Sequence, residues 1–425
     1  MIILPIAILL LLAALGAPLF ALIAAIALLG FNSAGQSGTA VAIEFYRLAD
    51  MPALIAIPLF TLAGYLLAES QAPRRLVRLT NALFGWLPGG LAIVSICACT
   101  LFTAFTGATG VTLVALGAVL YPALRHAQYP ERFSLGLLTC SGSLGLLLVP
   151  SMPLILYGVV AQQFHTTPPV AIDALFKAGL LPCLLMIIVL SVYSAWIARG
   201  LPRPERTSKR EVWAAVKDAA WELPLPFVVL AGIYSGKLAA SEAAAATALY
   251  VLIVTVLIRR EIRLPELPRV IREAMLLVGA ILIVLGFSLA LTNWLIDGEV
   301  PERLFALMKA GIDSRIGFLL LLNAFLLVFG MLLEGFPAII ILVPLVLPVA
   351  LHYGVDPVHL GIIFLANLQI GIFLPPVGMN IFIASARFGR PATSIIRASL
   401  PFYALLTLCV LIITYWPDLS LVLVR

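Results

Sequence analysis

Apolar runs separated by short polar breaks fill this chain from end to end. About 20 consecutive apolar residues cross the hydrocarbon of a bilayer as helix, so the pattern predicts a succession of membrane helices. The clearest runs lie at about 174–198, 223–238, 242–258 and 398–424. Because they recur to the C-terminus, the first run is not read as a removable signal peptide. Residues 2–30 form one kinked span or two short helices turning at Gly16-Ala-Pro18, and the two alternatives put Met1 on opposite sides. The longest polar stretch, about Arg199 to Glu222, is too short for a core of its own. It reads as a linker, with an amphipathic part carrying Val212, Trp213, Val216 and Trp221 that either lies along the interface or is solvated.

The pattern nearly repeats. Gly145-Leu-Leu-Leu-Val-Pro150 is answered by Gly371-Ile-Phe-Leu-Pro-Pro376, 226 positions later (371 minus 145), and the same shift carries Pro122 onto Pro348 and Pro153 onto Met379. Paired Gly/Pro breaks in two apolar halves point to a transporter's binding site at mid-membrane.

Composition agrees. With 63% hydrophobic and 11% charged residues and a mean hydropathy of +1.13, the chain has too little polar surface for a soluble globule. The net charge of +6 is not read as a nucleic-acid signal, because Lys and Arg mark the cytoplasmic ends of membrane helices. Cys97, Cys99, Cys140, Cys183 and Cys409 all sit in apolar runs as small hydrophobes. No disulfide framework and no metal-ligand spacing of His and Cys is read.

Basic loops at 74–78, 199–210 and 259–272 are assigned inside, and the Lys/Arg-free stretch 161–173 and the acidic stretch 297–302 outside. The segment from about Gly85 to Leu124 has basic residues at both ends, so it enters and turns back. Its middle, Thr103 to Thr112, is dense in Thr and Gly, and a re-entrant helical hairpin with its tip at Thr106 to Gly110 is expected. Non-helical backbone at that depth is tolerated only when buried in protein or lining a cavity. Shifted by 226, the hairpin falls on about 315–350, with Met331-Leu-Leu-Glu-Gly-Phe-Pro337 near its tip, and this one enters from outside. The expected architecture is therefore an all-α polytopic membrane protein of two inverted-topology repeats. The first covers 1–198 (hairpin about 85–124, broken helix about 134–160), a linker covers 199–222, and the second covers 223–425 (hairpin about 315–350, broken helix about 358–385).

Proline removes a backbone donor and clashes with the carbonyl four residues earlier, so carbonyls around Leu146 to Val149 and Ile372 to Pro375 lose helical partners. A desolvated sodium ion is one partner for such oxygens, with half-helix N-termini facing an anionic substrate. A kink filled by Ser/Thr or water is the other reading. Glu334, an acid at the second tip, either faces a cavity or reaches water. Asn367 and Gln369 either coordinate or hydrogen-bond between helices. Glu242 is read as structural, near a helix N-terminus.

At these residues the chain resembles a family. Phe105-Thr-Gly-Ala-Thr-Gly-Val-Thr112, Ser141-Gly-Ser-Leu-Gly145 running to Val149-Pro-Ser-Met-Pro153, Gly232-Ile-Tyr234 with Ser241-Glu-Ala-Ala-Ala245, and Leu374-Pro-Pro-Val-Gly378 are similar to the DctM-type large membrane subunit of tripartite ATP-independent periplasmic (TRAP) transporters. Order and spacing carry the likeness nearly end to end. The resemblance implies a secondary importer of organic acid anions with sodium, built as a scaffold holding a mobile elevator-type domain. It implies a small four-helix membrane subunit and a periplasmic solute-binding protein as partners, and the bacterial inner membrane as location. It places sodium at Thr103, Thr106, Gly145, Leu148 and Pro150, and at Gly330, Gly371, Leu374 and Pro376. Substrate would lie between the tips, at Thr106, Gly107, Thr109, Gly110, Glu334, Gly335, Asn367 and Asn380. Many members have Ser-rich first tips where this chain has Thr106-Gly-Ala-Thr109, and Asn is frequent where Tyr65 stands.

No nucleotide-binding loop appears, so an ion gradient is the expected energy source, sodium rather than protons, since only Glu334 competes as a buried relay. A membrane-embedded enzyme is the other class, but Ser141, Ser143 and Ser151 have no His or Lys at activating spacing. A stand-alone carrier of the ion-transporter superfamily, the superfamily that the resemblance implies, is the nearer alternative.

Overall fold

A computed structural model describes residues 8–425 except 10, 13, 14, 49, 50, 165, 167, 168, 202–207, 236, 310, 313, 334, 376 and 377. Glu334 and Pro376 thus lie outside the described residues. The described elements are all helical. In the first half they are α1 (Leu19–Ser33), α2 (Thr39–Arg47), α3 (Ala56–Glu69), α4 (Ala72–Phe84), α5 (Gly90–Thr106), α6 (Thr109–His126), α7 (Glu131–Ser141), α8 (Met152–Ala161) and α9 (Ile172–Ile197). Next come α10 (Lys209–Asp218), α11 (Pro224–Tyr234) and α12 (Ala240–Leu252), which continues as a wider turn over Ile253–Ile258. They are followed by α13 (Leu267–Asp297), α14 (Val300–Lys309), α15 (Arg315–Leu332), α16 (Gly335–His352), α17 (Pro357–Gly371), α18 (Met379–Phe388), α19 (Ala392–Tyr415) and α20 (Asp418–Leu421). Among the described residues six helices are long and apolar enough to cross a membrane. A seventh span is possible if α7 and α8, bent by 45° at their break, count as one. This is a multi-pass membrane protein.

The N-terminal alternatives meet a turn at Leu15-Gly16, where Gly16 takes a φ of +83° and Pro18 precedes α1. Several residues before it lie outside the described set.

The element bounds recur at the offset seen in the sequence. Adding 226 to the bounds of α5 and α6 gives 316–332 and 335–352, against the observed Arg315–Leu332 and Gly335–His352. Each pair folds back on itself. In the second, Phe318 near the start of α15 stacks on Tyr353 just past α16, with centroids 4.4 Å apart. In the first, Thr103 on α5 and Thr112 on α6 meet at 2.6 Å.

The breaks sit at the centre of the molecule. All ten residues of α8 and all fifteen of α17 are buried, and a helix apolar on every side belongs in a core. The halves interlock around them: α6 packs on α18, α16 on α8, α7 on α19 and α9 on α17. Helices α3 and α13 pack on each other and against this interior. At one edge α10 lays Val212 and Val216 against Leu79 and Ala82 of α4, while Trp213 faces outward.

Candidate functional site

The first hairpin turns over two residues. Gly107 takes a φ of +64°, a backbone glycine adopts without cost, and its N–H donates to the Thr103 carbonyl at 2.7 Å. Ala108 is extended, and α6 starts at Thr109. The tip is therefore Gly107-Ala108, inside the expected Thr106 to Gly110. Thr103, Thr106 and Thr109 are all buried. A Cβ at Gly107 would strike the methyl end of Met152, and one at Gly110 would lie 2.7 Å from Ile383. The second hairpin turns through Leu333, which is extended at φ −112° and ψ 140°, and α16 then begins at Gly335.

Each hairpin presses on a break. The Cβ that Gly145 lacks would collide with the Thr100 carbonyl oxygen and lie 2.7 Å from both the Ala104 nitrogen and the Thr103 Cβ. The Cβ that Gly371 lacks would lie 2.7 Å from the Gly330 Cα. Backbones approach this closely only where no side chain intervenes. The structure thus brings Thr103 and Ala104 to Gly145, and Gly330 to Gly371, and Ala104 with Gly145 lies one offset of 226 from Gly330 with Gly371.

The broken segments dispose of their carbonyls in different ways. At the first, α7 gives way to a short 3₁₀ turn over Leu144–Leu147 and then to extended backbone through a cis Val149–Pro150 bond. Ser151 Oγ donates to the Leu146 carbonyl, and Cys183 Sγ lies 3.5 Å from that of Leu144. The Leu148 and Val149 carbonyls accept no hydrogen bond among the described residues. At the second, the Asn380 N–H donates to Ile372 (3.1 Å), Tyr403 Oη to Phe373, and the Gly378 N–H to Leu374 (3.0 Å).

One contact joins the first tip to the second break. Thr109 Oγ1, on the first residue of α6, donates to Asn380 Oδ1 at 3.0 Å, on the first turn of α18. Asn380 is fully buried and its Nδ2 has no partner among the described residues. Two helix N-termini, each with unsatisfied N–H groups and a partial positive charge, so converge on a buried, unused amide donor. This arrangement can hold an anionic oxygen.

The other candidates lie apart or have their donors engaged, while the buried Asn367 Oδ1 and Gln369 Oε1 accept no hydrogen bond among the described residues. Asn367 Nδ2 donates to Asn323 Oδ1 (2.7 Å) and to the Ile363 carbonyl (2.8 Å), and Thr414 Oγ1 also donates to Asn323. Asn323 is ten residues before Leu333, about 15 Å along α15 at 1.5 Å per residue, so the structure joins Asn367 to this network and not to the tips. Gln369 Nε2 lies 2.6 Å from Met186 Sδ. Glu242 accepts from the Ala239 N–H at 2.9 Å and caps α12. Among the buried polar residues that the sequence pattern left unmarked are Asn323, Thr61 and Ser288. Asn323 is a lone amide in an apolar run, a signal that was there to use. Thr61 on α3 reaches Met152 Sδ (2.8 Å), and Ser288 on α13 donates to the Ile340 carbonyl (2.9 Å).

A family model described as "Tripartite ATP-independent periplasmic transporter, DctM component" matches residues 4–419. The chain belongs to the DctM family. It is a transporter component rather than an enzyme, the large permease class of TRAP systems. It is 34% identical over 391 residues to the C4-dicarboxylate TRAP transporter large permease protein DctM of Pseudomonas aeruginosa, covering 91% of this chain and 90% of that one. It is 32% identical to the sialic acid TRAP transporter large permease protein SiaM of Vibrio cholerae, covering 87% and 86%. With the ectoine TRAP transporter large permease protein TeaC of Halomonas elongata it shares 30%, covering 96% and 95%. The Alcanivorax borkumensis YdaH transporter has the same fold, with a TM-score of 0.65 at 15% identity over 91% of this chain and 89% of that one.

Proposed function

We propose that this DctM-family chain is the large permease of a sodium-coupled importer of small organic acid anions in the bacterial inner membrane. It works with a small four-helix membrane subunit and a periplasmic solute-binding protein. The observation that carries the reading is the junction of Thr109 with Asn380, where two helix N-termini and an unpartnered buried amide face one another. A carboxylate satisfies all of these donors at once. The names of the relatives, which include a C4-dicarboxylate and a sialic acid permease, favour the same class of substrate.

Sodium is assigned to the two places where a hairpin meets a break. The unclaimed Leu148 and Val149 carbonyls, just past the Gly145 that packs on Thr103, are oxygen ligands of the kind a hard cation takes. At the second place the Ile372, Phe373 and Leu374 carbonyls have protein donors, so coordination by them requires those bonds to exchange. An elevator motion of the hairpins and broken helices against α3 and α13 is supported by the seam between them. Its side-chain hydrogen bonds Thr61 to Met152 and Ser288 to Ile340 lie in otherwise apolar packing, which can slide with little polar cost.

The test is uptake of labelled organic acids into proteoliposomes holding this chain and its small subunit, with and without loaded binding protein. Uptake that needs both sodium and binding protein is the expected result. Uptake by this chain alone would replace the reading with a stand-alone carrier, and uptake driven by a proton gradient without sodium would overturn the coupling.

A further inference from the structure

A cavity of about 1330 Å³ lies between the outer face of α9 and the feet of the first hairpin, remote from the hairpin tips. One wall is a stripe of Ile188, Val192 and Trp196, exposed to 50, 64 and 57% and spaced by four residues, so they stand on one face of the helix. The opposite wall is the start of α5 and the end of α6. Arg199, just past the end of α9, and His126, at the end of α6, are among the lining residues. No described lining residue is acidic, and Arg199 makes no ion pair among the described residues.

The dimensions and the charge indicate the occupant. From Ile188 to Arg199 the helix rises about 17 Å at 1.5 Å per residue, close to the roughly 15 Å of hydrocarbon in one leaflet, half of about 30 Å. Trp196 stands near the end of that length, where indoles settle at the membrane interface. The groove is thus apolar over one leaflet's depth and cationic at headgroup level. An apolar helix of another protein would fill the stripe but leave Arg199 without a counter-charge.

We propose that this groove is a binding site for one anionic glycerophospholipid of the leaflet facing the basic loops. Its phosphate pairs with Arg199 and an acyl chain runs along Ile188, Val192 and Trp196. The lipid fills the space between α9 and the hairpin's feet.

Native mass spectrometry of the purified full chain, titrated with dioleoyl phosphatidylglycerol or dioleoyl phosphatidylcholine, tests this. The first phosphatidylglycerol is expected to bind about fivefold more tightly than phosphatidylcholine, the worth of one arginine near an anionic surface. Arg199→Gln abolishes that preference, and Val192→Trp, which fills the groove, removes the first adduct. Arg269→Gln, whose side chain is exposed and paired with Glu69 elsewhere, leaves both unchanged. Equal binding of the two lipids, or a preference that survives Arg199→Gln, overturns the proposal. A photoreactive residue at position 192 in native membranes gives a second measurement that needs no filled groove. Labelling of phospholipid supports the site, and labelling of a polypeptide instead overturns it.

Discussion

A methyl group at position 371 would come within 2.7 Å of the Gly330 Cα, and one at position 145 within 2.7 Å of the Ala104 nitrogen. Backbone cannot step aside as a side-chain tip can, and overpacking of this kind costs about 1–3 kcal/mol. Gly145→Ala and Gly371→Ala are therefore expected to lower the thermal unfolding temperature and to abolish uptake. Gly335→Ala, whose nearest neighbour would be at an ordinary 3.7 Å, should keep the unfolding temperature. Asn380 makes the opposite case. Asn380→Leu removes one hydrogen bond with Thr109 but also a buried donor that has no partner, so stability should change by no more than about 1.5 kcal/mol. Uptake, measured as KM and rate in proteoliposomes, should nonetheless fall at least about tenfold, the worth of 1.4 kcal/mol of lost substrate binding. A variant that unfolds easily yet transports normally when folded would assign Asn380 to packing instead.

At the scale of elements, α4 is fixed to the linker by charge. Arg75, only 6% exposed, donates through Nε to Glu222 at 2.9 Å, and its terminal nitrogens reach both Glu222 and Glu261. Arg78 and Arg259 meet Asp218 beside it. Removing one partner from such a group leaves buried charge behind, which costs about 3–5 kcal/mol. Arg75→Gln should show that loss in thermal unfolding, and the triple change with Glu222→Gln and Glu261→Gln should recover much of it. Burial alone would raise the Glu261 carboxyl, but hydrogen bonds from Arg75 and the Gln71 N–H, with the charges of Arg75 and Arg259, hold it below the usual range. A depressed carboxylate stabilises above its unfolded pKa and loses that contribution as pH falls through the folded one. The contribution should thus be intact at neutral pH and fade only below about pH 4, the ordinary glutamate value being about 4.3, as unfolding at stepped pH would reveal.

None of these three-way contacts was legible in the sequence, because Arg75 and its partners lie 147 and 186 positions apart and periodicity reports only on neighbours. The same holds for Asn323 with Asn367 and for Thr61 with Met152. What could be read was local: a Gly between threonines where an apolar run must turn, and prolines where a helix must stop. That was enough to put the first tip within two residues. The start of α7 was missed by three, since Glu131 follows Pro130 and belongs to the first turn, where proline and acid are both favoured.

For the whole molecule, the crossed packing of α6 on α18 and α16 on α8 means that neither half encloses its own interior. Two polypeptides divided in the stretch 202–207 should therefore yield a complex active in uptake when made together, and neither alone should survive purification as a single species. The same packing sets a schedule for biogenesis. The face of α6 is complete when His126 is made, but α18 does not begin until Met379, about 250 residues later. At about 5–20 residues per second, the first hairpin waits roughly 12–50 s in the bilayer, its polar tip uncovered, for the helix that will close over it.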